Sequence, residues 1–163
     1  MTRITLKVNG SERSVEVEPR KLLADMLRQD VGLTGVHIGC AHGVCGCCTV
    51  HIDGEPRLSC LTFAVQCDGA AISTVEALGG RKAEHRLQKA FMAEHGLQCG
   101  YCTPGFLMAL EPFVSDMIAC KRMPGEAEIR DAMSGNICRC TGYHGIVAAV
   151  RKAIGDGLAE REA

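Results

Sequence analysis

The opening of the chain alternates apolar with polar residues, and the second half does not. Residues 2–8, TRITLKV, alternate up to Asn9-Gly10, and SVEV resumes the pattern beyond it. Period-two patterning on both sides of an Asn-Gly pair predicts a β-hairpin closed by a tight turn. After Pro19 the period changes, and Leu22, Leu23, Met26 and Leu27 fall on one face of a helix that Gly32 stops. TVHI, the Asp53-Gly54 turn and PRLSCL predict a second hairpin, and AISTV near residue 73 a last short strand. Together these elements make a small mixed sheet with a helix laid across it.

From about residue 77 the texture shifts: ALGGRKAE reads as a linker, and the residues beyond it have helical period with few β-branched side chains. Leu87, Phe91 and Met92 predict one amphipathic helix; Phe106, Leu107, Leu110 and Val114 a second; Ile129 and Met133 a third; Ile146, Val147, Val150 and Ile154 a fourth. The chain therefore divides into a β-rich domain, 1–76, and a helical domain, 77–163, an α+β protein overall. The helical half also repeats itself weakly. A helix, CGYCTPG and a helix are succeeded by a helix, CRCTGY and a helix. Aligning Cys102-Thr103 with Cys140-Thr141 predicts two helix pairs facing each other, each with two thiols at its turn.

Charge excludes some partners. Across 163 residues, 18 Lys and Arg balance 19 Asp and Glu, the net charge is −1, and basic residues never run beyond two, so a nucleic-acid partner is not expected. No stretch approaches the roughly 18 apolar residues of a membrane span, and MTRITLKVNG lacks the basic-then-apolar pattern of an export signal. A soluble, cytoplasmic protein is expected. In a reducing compartment eleven cysteines, an odd number, point to metal ligation in place of a disulfide framework.

Cys40, Cys45, Cys48 and Cys60 are spaced C-x4-C-x2-C-x11-C, and the opening spacing is that of a plant-type [2Fe–2S] loop. A loop wrapped around such a cluster aims backbone N–H groups at sulfurs, and Gly39, Gly43 and Gly46 allow the positive φ values and close approach this needs. Cys47 falls outside the spacing and is expected to pack away as a small residue. A zinc knot would prefer paired C-x2-C hooks.

Cys99-x2-Cys102 and Cys138-x-Cys140 form a second set. Spacing alone leaves a zinc site and a second [2Fe–2S] cluster both open, although a C-x-C hook suits one iron of a binuclear cluster. Cys67 and Cys120 belong to neither hook and are expected to be buried as small hydrophobes. The six histidines show no i,i+3 or i,i+4 pairing, and none is assigned as a ligand.

Three stretches in order, GCAHGVCGCCTVHIDG, GLQCGYCTPG and GNICRCTGY, resemble the small iron–sulfur subunit of the molybdenum hydroxylases, the xanthine oxidase and carbon monoxide dehydrogenase family. The resemblance covers nearly the whole chain. It implies an N-terminal β-grasp plant-type ferredoxin domain, a C-terminal four-helix bundle of pseudo-twofold symmetry, and two [2Fe–2S] clusters. By position, Cys40, Cys45, Cys48 and Cys60 would bind the flavin-side cluster, and Cys99, Cys102, Cys138 and Cys140 the molybdenum-side one. Gln98 and Cys140 match positions that approach the pterin. Family members commonly have alanine where this chain has Cys47.

The resemblance further implies a large subunit binding molybdopterin of the cytosine dinucleotide type and a medium subunit binding FAD, assembled as a dimer of heterotrimers. Electrons would pass from molybdopterin through both clusters to FAD. This chain, with no dinucleotide fingerprint, would do no substrate chemistry itself. A freestanding ferredoxin-type carrier would need only the first domain and would be more acidic; a zinc-binding structural module is the third alternative. GLQCGYCTPG and FAVQCDGAAISTVE look closest to the carbon monoxide dehydrogenase type, which reports lineage. The choice among aldehydes, purines, N-heteroaromatics, aromatic thioesters and carbon monoxide would lie in the large subunit.

Overall fold

The computed structural model describes residues 1–79 and 84–162. Strands β1 (Thr2–Val8) and β2 (Ser11–Val17) pair antiparallel from Thr2↔Val17 to Val8↔Ser11. Asn9 and Gly10 turn between them with φ of 49° and 79°, the primed geometry whose twist matches that of the strands. The alternation of β1 sends Ile4, Leu6 and Val8 inward, where Leu23, Met26 and Leu27 of helix α1 (Leu23–Gln29) cover them. Strands β3 (Thr49–Ile52), β4 (Glu55–Leu58) and β5 (Ala71–Ser73) complete a sheet of order β2-β1-β5-β3-β4. Only β1 and β5 run parallel; β3 is antiparallel to β4 and to β5. The second hairpin is shorter than predicted, because β4 stops at Leu58 and Ser59–Leu61 curl into a 3₁₀ turn that takes Cys60 out of the strand.

Helices α2 (Arg86–Ala93), α3 (Thr103–Ala119), α4 (Glu126–Ala132) and α5 (His144–Glu162) surround a second core that includes Leu87, Phe91, Phe106, Leu110, Ile129, Val150 and Ile154. The four apolar stripes pack as predicted, with one exception. Met92 is 64% exposed, since Leu87, Ala90 and Phe91 already fill the inward face of α2 and the next residue lies 100° further round. Cys120, expected inside, is exposed at the C-terminal end of α3, whereas Cys67 is buried. The predicted linker includes residues 80–83, which lie outside the described residues; before these, Val75 and, within the linker, Leu78 pack against the helical core. No described helix is long and apolar enough to cross a membrane.

The sheet and the helices touch directly. Buried His51 of β3 donates from Nε2 to the Met108 carbonyl of α3 at 2.7 Å. Gly105 of α3 sits flat against the loop that precedes β3: a Cβ there would collide with the Gly46 carbonyl and lie 2.8 Å from Cys47 Cα. This contact brings the two cysteine-bearing regions together.

Candidate metal centres

Cys40, Cys45 and Cys48 lie on the loop that leads into β3, and Cys60 on the 3₁₀ turn after β4. Ser59 ties the turn to the loop, its hydroxyl and N–H donating to the Cys48 carbonyl at 2.7 and 3.3 Å. Within the loop the N–H groups of Val44 and Cys45 point at Cys40 Sγ from 3.3 and 3.4 Å. Backbone bonds from His42, then Cys45 and Val44, lower the Cys40 pKa to about 6, so a thiolate is favoured at neutral pH. Burial has the opposite effect deeper in the loop, pushing Cys48 up to about 11, with the Cys60 thiol adding to it against a backbone bond from Cys60.

Gly46 has φ +72°, and an added Cβ would strike Asn136 Nδ2 and lie 2.6 Å from the Gly135 carbonyl. Gly39 contributes space alone: its φ is not positive, but a Cβ there would lie 3.0 Å from Cys45 Sγ. Cys47 is buried at the boundary with α3, its Sγ 4.0 Å from the Cys45 carbonyl. Burial and the neighbouring Cys45 thiol push its pKa up to about 12.

The second set is assembled by helix packing. Cys102 is the residue on which α3 starts, Cys99 precedes it, and Cys138 and Cys140 lie between α4 and α5. The closest thiols come from different hooks. Cys99 and Cys140 bring their sulfurs to 3.6 Å, while Cys102, pushed up to about 12 by burial, has Cys138 as its next influence. The Cys99 and Cys140 pair thus takes one thiol from either hook. Thr141 donates to Cys138 Sγ from its hydroxyl at 3.1 Å and its N–H at 3.5 Å. Burial raises the Cys138 pKa, yet the Thr141 bonds and the Cys140 N–H outweigh it and the net shift is downward. Cys99, Cys140 and Gln98 are exposed together on the outer side of this region.

Two observations test whether a sulfide-bridged cluster fits. Cys99 and Cys140, one thiol from each hook, lie 3.6 Å apart, and a pair of thiolates is what each iron of a [2Fe–2S] rhomb takes. Thr103 Oγ1, at the position that the internal repeat aligns with Thr141, is buried without a partner among the described residues. Buried hydroxyls are seldom left so, and a cluster sulfur beside Cys102 would accept its hydrogen bond. The donor set fits.

Residues 6–69 match the family described as "2Fe-2S iron-sulfur cluster binding domain", and residues 74–151 that described as "[2Fe-2S] binding domain". The chain is 50% identical over 148 residues to the caffeine dehydrogenase gamma subunit of Pseudomonas sp. (strain CBB1), a match covering 91% of this chain and 88% of that one. It is 49% identical over 152 residues to the nicotine 6-hydroxylase small subunit of Paenarthrobacter nicotinovorans, covering 93% and 89%. The chain is a small iron–sulfur subunit of the molybdenum hydroxylase family. Such a subunit is part of an oxidoreductase. Its fold agrees with the crystal structure of quinoline 2-oxidoreductase from Pseudomonas putida 86, with a TM-score of 0.90, 45% identity and coverage of 99% and 98%.

Several residues around the small subunit's thiols were not singled out from sequence. Tyr143 accepts the Cys138 N–H at 3.0 Å and meets Phe106 edge-on. Tyr101, inside the first hook, stacks on His37 and donates to the Ile38 carbonyl at 3.0 Å. Threonine directly after Cys102 and Cys140 was a visible repeat. It marked both the hydroxyl that donates to Cys138 Sγ and the buried one that has no partner among the described residues.

Proposed function

We propose that this small subunit carries two [2Fe–2S] clusters and relays electrons between molybdopterin on a large partner and FAD on a medium one. Cys40, Cys45, Cys48 and Cys60 hold the first cluster, on the β-grasp ferredoxin domain (1–76). Cys99, Cys102, Cys138 and Cys140 hold the second, in the four-helix, pseudo-twofold domain (77–163). The observation that supports this reading is the contact between the two cysteine-bearing regions, where Ile137 N–H, next to Cys138, donates to the Cys45 carbonyl at 3.0 Å. When bound, each cluster supplies a one-electron acceptor and donor.

The chain's own groups set how that happens. N–H donors from Val44, Cys45 and Thr141 and the Thr141 hydroxyl stabilise negative charge on sulfur. The exposed Gln98, Cys99 and Cys140 face the large subunit, with the Gln98 amide offered to the pterin of a cytosine dinucleotide cofactor. The half-exposed Cys40 and Cys45 face the FAD subunit, and the complex is a dimer of heterotrimers. Caffeine, nicotine and quinoline name the relatives; by that lineage the substrate of the complex is an N-heteroaromatic compound, in preference to carbon monoxide.

Metal analysis tests the ligand assignment. The purified chain should contain about four irons and about four acid-labile sulfides, two of each per cluster. About two irons, or stoichiometric zinc, would contradict the second site.

A further inference from the structure

Asn136 precedes the second thiol hook, yet its bonding reaches the first. Its side chain is buried, and Nδ2 donates to the Gly46 carbonyl at 3.1 Å across 90 residues of chain. Gly46 lies between Cys45 and Cys48, and the same carbonyl receives the Thr49 hydroxyl at 2.7 Å and the Thr49 N–H at 3.2 Å. One residue further on, Ile137 N–H donates to the Cys45 carbonyl at 3.0 Å. Two consecutive residues of the second region thus hold two consecutive residues of the first. Gly105 also lets the loop lie directly on α3, three residues after Cys102, where a Cβ would strike the same Gly46 carbonyl. The loop is held by the bond that Asn136 makes and rests on the bare backbone of α3.

Resting on the two-cluster reading, we propose that Asn136 is a positioning residue that sets the spacing between the two clusters. An electron crossing this boundary oxidises one cluster by one unit and reduces the other by one, with no bond formed or broken. Distance and relative potential are therefore what the protein can adjust. Asn136 adjusts distance. Among the described residues it bonds to no thiol, and its side-chain bond crosses between the regions. The buried amide also gives the loop one orientation, because the Gly46 carbonyl turned elsewhere would leave Asn136 Nδ2 unpaired in the interior.

The test uses the complex purified through this subunit, with two changes of opposite kind. Asn136→Ala removes the tie. Gly105→Ala keeps the Asn136 side chain and inserts a wedge against the carbonyl it bonds, in a helix where alanine is otherwise the favoured residue. In each, iron is counted and the spin–spin splitting between the two reduced clusters is read by low-temperature EPR, with intercluster electron exchange monitored by rapid freezing. The proposal expects about four irons, two signals, reduced splitting in both variants, and slower exchange between the clusters. A merely structural Asn136 would lower melting temperature or cluster occupancy and leave the splitting of loaded molecules at the wild-type value, and that result overturns the proposal. If Asn136→Ala sheds its first cluster, Gly105→Ala decides: reduced splitting with both clusters retained supports a spacing role for this contact, and unchanged splitting rejects it. Reduced splitting in Gly105→Ala beside unchanged splitting in a loaded Asn136→Ala assigns spacing to α3 and rejects Asn136. A wild-type protein with one signal fails the two-cluster reading itself, before either variant is compared.

Discussion

Cys40, Cys45 and Cys48 are gathered by one loop, whereas Cys99 and Cys140, 41 residues apart in the chain, meet at 3.6 Å because two helix pairs pack together. The first set depends mainly on local backbone geometry: N–H groups turned to sulfur, glycine where φ is +72°, and a carbonyl held by Thr49 as well as by the distant Asn136. The second depends on a hydrophobic core formed by residues such as Phe106, Ile129 and Ile146. Local geometry makes a site robust to changes elsewhere. A site assembled from distant segments inherits the stability of whatever packs them, and cooperative loss of the core is loss of the site.

Ligand replacement should break this comparison most severely. Cys48→Ser should leave about two irons, all in the helical half, and Cys102→Ser about two irons in the loop, as read by metal analysis with EPR. Loss of both clusters from either change would mean that the two sites fold as one. Cys48→Ser also separates neighbours that pKa does not, since Cys47 and Cys48 are both raised, to about 12 and about 11.

Core truncation comes next. Phe106 is fully buried in α3 and stacks edge-on to Tyr143, which holds the Cys138 N–H. Phe106→Ala should cost about 3–5 kcal/mol and lower occupancy of the second cluster while the first stays loaded. Equal loss from both would erase the distinction between local and assembled sites.

A smaller effect is expected at the outer surface. Gln98→Ala should leave iron content unchanged but slow reduction of the clusters by substrate, or loosen the pterin, in the assembled complex. A lost hydrogen bond of about 1–3 kcal/mol is a severalfold or larger change. Full pterin retention and wild-type reduction would make Gln98 a turn residue only. The smallest effect belongs to Cys47→Ala, which removes one sulfur at the boundary and should leave both clusters and turnover near the wild-type values, measured by iron content and rate.

The same contrast explains what could be read from the chain. The loop was legible because a fixed spacing within nine residues carries its own geometry. The strands and helical stripes were legible because period reflects burial. The second set could be grouped by its repeat, but the pairing of Cys99 with Cys140 could not, since that depends on how helices cross. Met92 and Cys120 failed for a related reason: each continues an apolar run at a point where the helix has already turned its surface to water or ended. His51 with Met108, Tyr101 with His37, and Asn136 with Gly46 join positions 57 to 90 residues apart and leave no local pattern.

The central claim is that one chain holds two distinct clusters in series, and EPR of the chemically reduced complex tests it most directly. Two separable signals, each integrating to about one spin per chain, with the first lost in Cys48→Ser and the second in Cys102→Ser, is the predicted result. A single signal of about one spin per chain that survives one of these changes intact would contradict it.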